Sequence, residues 1–246
     1  MATDDLPSIR LFVDARLTTG AEIACTPEQA NYLLNVLRLS TGAEILTFNG
    51  LDGEWRAKLV ETGKRRCTLA CVEQTRPQID GPDVHYIFAP LKHARLDYMV
   101  QKAAELGVAH LQPVLTRRTI AGRVNLERMR ANAIEAAEQC GVLRVPSVGE
   151  PQKLEALLAG WDANRRLIFC DEAAEMASPV AALSAIERGP LAVLIGPEGG
   201  FDPAERQALR DKAYTTAISL GPRIMRADTA AVAALALVNA TLGDWR

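Results

Sequence analysis

The sequence reads as an α/β protein in two parts, a small β-barrel followed by a larger domain built on a parallel sheet. Two observations predict this division. Up to about residue 75 the chain is a series of short alternating strands joined by tight turns, with one helix among them. From Val84 onward, apolar strands alternate with helical segments, the rhythm of a parallel sheet covered by helices. Between these parts Gln74 to Asp83, with Pro77, Gly81 and Pro82, reads as a linker. The expected domains are therefore 1–76 and 77–246.

In the first part, Arg10-Leu-Phe-Val13 opens as a strand, and Thr26 stands as N-cap before Pro27 at the first position of a helix. Glu44 to Asn49 is a strand around Ile45 and Leu46. Asn49-Gly50 and Asp52-Gly53 supply the turn before Glu54 to Leu59, and Cys67 to Val72 alternates again. In the second part Val84 to Ala89 is a strand. The helix from Leu96 to Leu106 repeats Leu96, Val100, Ala103 and Leu106 at helical spacing, with Gly107 able to end it. Leu111 to Leu115 is a strand, and Leu126 to Cys140 a helix capped by Asn125. Further strands are expected at Leu167 to Cys170, Leu191 to Ile195 and Ala217 to Leu220.

Composition narrows the class. An apolar fraction of 48% belongs to a folded chain. The opening residues, with Asp4 and Asp5, do not read as a signal peptide, and the most apolar run, Ala230 to Val238, is far short of a bilayer span. A cytoplasmic protein is expected. The five cysteines form no Cys-x-x-Cys pair and lie apart from His85, His93 and His110, so no zinc site is expected. Cys67 and Cys71, four apart in a strand, belong on one face in a core. Net charge is −2, yet residues 85–145 carry nine Lys or Arg against five Asp or Glu, a local excess suited to phosphate contact. Lys64-Arg65-Arg66, near a turn, is a further basic cluster able to touch RNA, or simply a solvated turn.

The chemistry concentrates in two loops. Leu191 to Ile195 is a continuous apolar run fit for a central strand. It ends at Gly196-Pro197-Glu198-Gly199-Gly200-Phe201, after which Asp202, Pro203 and Glu205 supply a capping box and a helix start. In open α/β sheets, ligands bind beyond the carboxyl ends of the strands. The loop has neither the lysine of a Walker loop nor the spacing of a dinucleotide fingerprint, which disfavours polyphosphate and leaves an adenosine-type ligand. The next strand ends in Ser219-Leu-Gly-Pro-Arg-Ile-Met-Arg-Ala-Asp-Thr-Ala230, again a Gly-Pro turn, with Asp228 or Thr229 expected to cap an apolar helix from Ala230. A helix apolar all round is buried in a core or against a partner. Two such loops side by side would make one pocket.

These loops resemble the 16S rRNA (uracil-N3)-methyltransferases of the SPOUT superfamily. Further matches run through most of the chain: Arg10-Leu-Phe-Val13, Val36-Leu-Arg-Leu39, Lys92, Gln101-Lys-Ala-Ala-Glu-Leu-Gly107, Glu135-Ala-Ala-Glu-Gln-Cys140 and Val145-Pro146. The resemblance implies a PUA-like barrel joined to an α/β domain with a C-terminal trefoil knot, S-adenosyl-L-methionine as cofactor, a homodimer, no metal, and a uridine of 16S rRNA in the small ribosomal subunit as substrate. Cofactor contacts would fall on Gly196, Pro197, Glu198, Gly199, Leu220, Gly221, Ile224, Met225, Arg226, Thr229 and Ala230. RNA contacts would fall on Lys92, Arg95, Arg117, Arg118, Arg123, Arg144 and Arg223. The sequence departs from the family by placing Gly141-Val142-Leu143 before Arg144, which touches the RNA assignment of that turn.

Uracil N3 becomes a nucleophile only when its proton leaves, so a cation beside it, Arg226, is expected to stabilise the developing charge; Glu198 is either base or loop anchor. Three other readings stay open at this stage. They are a SPOUT enzyme acting on another RNA or atom, a nicotinamide or nucleotide enzyme, and a non-catalytic RNA-binding protein.

Overall fold

The computed structural model describes residues 9–63, 66–92, 94–120, 123–174 and 178–245. His93, Lys64 and Arg65 lie outside them. The chain forms two compact units, one of residues 1–80 with 137–144, the other of 81–136 with 145–246.

The first unit is built on β1 (Arg10–Phe12), β2 (Glu22–Ala24), a short helix α1 (Pro27–Asn31) running into a π-helical turn at Tyr32–Val36, then β3 (Glu44–Phe48), β4 (Glu54–Gly63) and β5 (Arg66–Arg76). Thr26 and Gln29 cap α1 reciprocally, as Thr26 before Pro27 predicts. The strands form one sheet in the order β1-β3-β4-β5-β2, antiparallel except for β1 on β3. Register shifts along β4 and β5 mark bulges, the device that curves a small sheet around its own core. Cys67, Leu69 and Cys71 alternate inward along β5 and pack with Leu33, Ile45 and Leu59, so both cysteines share the buried face.

One buried carboxylate organises this unit. Glu54 is 2% exposed and lies 2.7 Å from Arg10 Nε and 2.6 Å from Arg76 Nη2. Burial pushes its carboxyl up, but the hydrogen bonds and charges of Arg76 and Arg10 more than offset that and hold it below the usual carboxylate range. The Arg10 guanidinium also donates to the carbonyls of Ala137, Glu138 and Val142, closing the otherwise open end of the helix that finishes at Cys140.

The second unit alternates β6 (Val84–Phe88), α2 (Ala94–Glu105), β7 (His110–Leu115), α3 (Leu126–Cys140, whose last turn from Ala137 belongs to the first unit), β8 (Ser147–Val148), β9 (Gln152–Lys153), α4 (Leu154–Ala159), β10 (Arg166–Cys170), α5 (Pro179–Ser184), β11 (Leu191–Ile195), α6 (Pro203–Arg210), β12 (Thr215–Ile218) and α7 (Ala227–Thr241). The sheet order is β12-β10-β11-β6-β7-β8, parallel throughout, with β9 on a second stretch of β7. β11 is buried at every residue. Its Leu191, Val193 and Ile195 face a core shared with α2 and α7, while Ala192 and Leu194 face a core shared with α4 and α6. A strand buried on both faces must be apolar without interruption, which is why Leu191 to Ile195 shows no alternation. Among the described residues no helix is long and apolar enough to cross a membrane.

Candidate cofactor-binding site

Because the strands are parallel, the loops leaving β10, β11 and β12 emerge on the same edge of the sheet. There they enclose a cavity of about 520 Å³, within the range of small-molecule sites. The β11 loop contributes Gly196 to Gly200, and the β12 loop contributes Ser219 to Ala227 together with Ala230. The two glycine loops do form one pocket, as the sequence predicts.

The glycine loop is held from several sides. Phe201 is 1% exposed and meets Phe169 edge-on at 5.0 Å between centroids. Gly196 lies directly against that ring: a Cβ there would stand 2.5 Å from Phe201 Cε2. Gly200 turns the chain at φ +67°, a conformation glycine adopts without strain, and a Cβ there would meet the Glu172 carboxylate at 2.6 Å. Beyond the loop the expected capping box forms. Ala204 N–H donates to Asp202 at 3.0 Å and Asp202 N–H to Glu205 at 3.2 Å. Glu205, 5% exposed, also accepts from the Arg117 N–H at 2.8 Å.

A third loop, which sequence reasoning missed, forms part of the wall. Since β10 lies between β11 and β12 in the sheet, Cys170, Asp171 and Glu172 at its end line the cavity. The Asp171 side chain is wholly buried, 3.0 Å from Arg206 Nε and 2.6 Å from Arg210 Nη2, and Arg206 also pairs with Glu172. These contacts tie the β10 loop to α6, the helix that follows the glycine loop. Two acids directly after an apolar strand were the available signal, given where parallel sheets bind ligands. Their arginine partners lie over 30 positions away and follow no local pattern. Burial pushes the Cys170 thiol up to about 12, so it carries no thiolate at neutral pH.

Of the sequence-predicted cofactor residues, Gly196, Pro197, Glu198, Gly199, Leu220, Gly221, Ile224, Met225, Arg226 and Ala230 all line the cavity. Thr229 does not. The expected helix start at Asp228 or Thr229 is corrected: α7 begins at Ala227 with Arg226 as N-cap and no side-chain cap, and Asp228 instead accepts from the Thr229 N–H. At about 100° per residue, Ala227 and Ala230 share the cavity side while Thr229 turns to the opposite side. There it lines a shallow groove with Ala94, Arg95, Tyr98, Asp228, Val232 and Ala233.

The basic residues fall into distinct settings. Arg118 donates to the Gly199 carbonyl at 2.9 Å, and Arg117 lies 3.0 Å from Asp202, so both brace the loop. Arg95 stands 3.6 Å from Glu198 and 4.0 Å from Asp228. Lys92 and Arg123 are exposed. Arg144 belongs to the first unit. Arg223 and Arg226 are exposed on the cavity wall, and neither forms an ion pair among the described residues.

Comparison with known proteins decides the family. Residues 80–239 match the RNA methyltransferase domain family, and residues 16–70 match the PUA domain of RNA methyltransferases. The chain belongs to the RNA methyltransferase family. This methyltransferase is 29% identical to ribosomal RNA small subunit methyltransferase E of Rickettsia conorii, over 94% of each chain. It is 30% identical to the protein of the same name from Synechocystis, over 95% of this chain and 78% of the other. The crystal structure of ribosomal RNA small subunit methyltransferase E from Neisseria gonorrhoeae bound to S-adenosyl methionine superposes with a TM-score of 0.85 at 27% identity, covering 97% of this chain and 99% of that one. The methyltransferase thus has the SPOUT-type α/β domain preceded by a PUA-like domain with its own sheet.

Proposed function

We propose that this methyltransferase moves a methyl group from S-adenosyl-L-methionine to N3 of a uridine in 16S rRNA, acting on the small ribosomal subunit in the cytoplasm as a homodimer. The observation that carries the reading is the cavity at the carboxyl edge of the sheet, walled by the β11 and β12 loops in a chain of this family.

The residues present suit the donor. The cavity has the volume for a nucleoside with an amino-acid arm. Ile195, Leu220, Met225, Ala227 and Ala230 offer apolar surface to a purine, and the glycines let backbone groups approach it. Glu172 and Glu198 place carboxylates on the wall, paired with Arg206 and Arg95, where they can accept from the ammonium or ribose hydroxyls of such a ligand. The contacts proposed for it are Gly196, Pro197, Glu198, Gly199, Leu220, Gly221, Met225, Arg226, Ala230 and the backbone of Ile224. When bound, S-adenosylmethionine supplies a methyl group activated by its sulfonium.

The chain's task is alignment and charge control. With the donor bound, the loops would fix it beside the incoming base, which removes much of the entropic cost of the reaction. Arg226, exposed on the wall, stabilises negative charge on the uracil as its N3 proton leaves to solvent. The barrel and Lys92, Arg123 and Arg144 contribute contacts to the folded RNA. Tyr98, Val232 and Ala233, on a groove with α2 and α7 residues, leave apolar surface that a second copy would cover.

The test is labelled methyl transfer from S-adenosylmethionine to purified small subunits lacking native modification, followed by nucleoside analysis. Label in 3-methyluridine is the expected result. Label in another nucleoside, or in a ribose hydroxyl, would reassign the target, and no label would reject the reading.

A further inference from the structure

We infer that Ile224 is the platform that receives the target base, with Arg223 gripping a phosphate beside it and Arg226 left to face the base itself. This rests on the RNA-methylating function proposed for the chain and extends it to the nucleotide itself.

An exposed isoleucine is not in itself unusual. This one is distinguished by degree and place. It is 94% exposed, whereas Leu51, the next most exposed large apolar residue described, is at 71%. It also sits on the wall of the donor cavity, in the loop that joins β12 to α7. The charges there are distributed unevenly. Each acid of the cavity wall is matched with an arginine: Asp171 with Arg206 and Arg210, Glu172 with Arg206, and Glu198 with Arg95. Arg223 and Arg226 flank Ile224 and form no ion pair among the described residues. The loop therefore presents cation, apolar side chain and cation within four residues.

That sequence of groups matches one nucleotide. Uracil N3 lies on the pairing edge, so the base must leave its partner and its stack before it can be methylated. An unstacked base exposes apolar faces that need a new surface, and it carries a phosphate on each side. Ile224 supplies the surface, Arg223 binds a phosphate, and Arg226 faces the charge that develops on the base. All three residues line the donor cavity, so a base held on Ile224 would stand at its wall.

The test uses the full chain, unmodified small subunits and S-adenosylmethionine. Ile224→Ala should lower kcat/KM for the subunit by about tenfold. Donor affinity by calorimetry should stay within about twofold and the melting temperature should not move, because the side chain stands in water. Ile224→Leu should restore most of the activity. Arg223→Ala should lower the salt slope of subunit binding by about 0.7–1 for each phosphate that Arg223 grips. Unchanged kcat/KM in Ile224→Ala overturns the inference. So does a matching loss of donor affinity, which would make Ile224 part of the donor pocket, or conversion of a dimer to monomer in sedimentation, which would make it a subunit contact. Absence of labelling by the wild-type enzyme in the same assay overturns the proposed function itself, whereas wild-type labelling with an equally active Ile224→Ala overturns only the role of Ile224.

Discussion

Replacing Gly196 with alanine tests whether the glycine loop is shaped by its close approach to Phe201. The added Cβ would sit 2.5 Å from Cε2, 2.9 Å from Cδ2 and 3.0 Å from Cζ of that ring. Ordinary contact begins near 3.4 Å, so ring and loop must separate by about 0.9 Å. The ring cannot simply retreat, because it is 1% exposed and braced edge-on by Phe169. Overpacking of this kind costs about 1–3 kcal/mol. If the strain falls on the fold, the melting temperature should drop by about 2–4 °C per kcal/mol for a chain of this size. If the loop yields instead, donor affinity should weaken by about tenfold per 1.4 kcal/mol. Calorimetry with S-adenosylmethionine and a thermal melt read the two shares. Adding Phe201→Leu should relieve the clash, so that the double variant loses less than the sum of the singles. An alanine variant with wild-type melting and wild-type donor affinity would refute the close-packing argument.

Three other perturbations bear on different parts of the molecule. Asp171→Asn removes the buried charge that Arg206 and Arg210 share, and should destabilise the second unit by about 1–3 kcal/mol in denaturant unfolding, since both arginines keep access to solvent; a change below about 0.5 kcal/mol would show that the pair is dispensable. Glu54 is held below its ordinary range. Its contribution to stability is therefore full above the unfolded value of about 4.3 and is lost as pH falls through the lower folded value. Glu54→Gln should accordingly flatten the acid limb of stability against pH below about 4, and an unaltered limb would assign that limb to other carboxylates. Arg226→Ala should reduce turnover far more than donor affinity, and equal losses of both would remove it from a charge-stabilising role.

The parts of the fold that local chemistry dictates were legible in the sequence. Asp202, Pro203 and Glu205 start α6 because all three cap interactions lie within four residues. β11 was recognisable because burial on both faces demands an unbroken apolar run. The start of α7 was not: Arg226 caps it without any side-chain bond, so no capping residue marks the boundary, and the helix begins at Ala227, three residues before the expected Ala230. Long-range partners were likewise invisible. Nothing near Arg10 announces that it will meet the carbonyls of Ala137, Glu138 and Val142. The membership of 137–144 in the first unit follows from such distant contacts rather than from any linker signal. The bracing of the glycine loop by Arg117 and Arg118 was equally invisible, because their partners, Asp202 and the Gly199 carbonyl, lie more than 80 residues away. The donor cavity was readable in part: both glycine loops declare themselves, while the Asp171–Glu172 wall depends on β10 being inserted between β11 and β12.

The most direct measurement is a crystal structure of the protein soaked with S-adenosylmethionine. The adenosine is expected to appear as density between Gly196–Gly200 and Leu220–Ala230. Adenosine density anywhere else on the protein, with that cavity filled only by solvent, would contradict the assignment of the donor to these two loops.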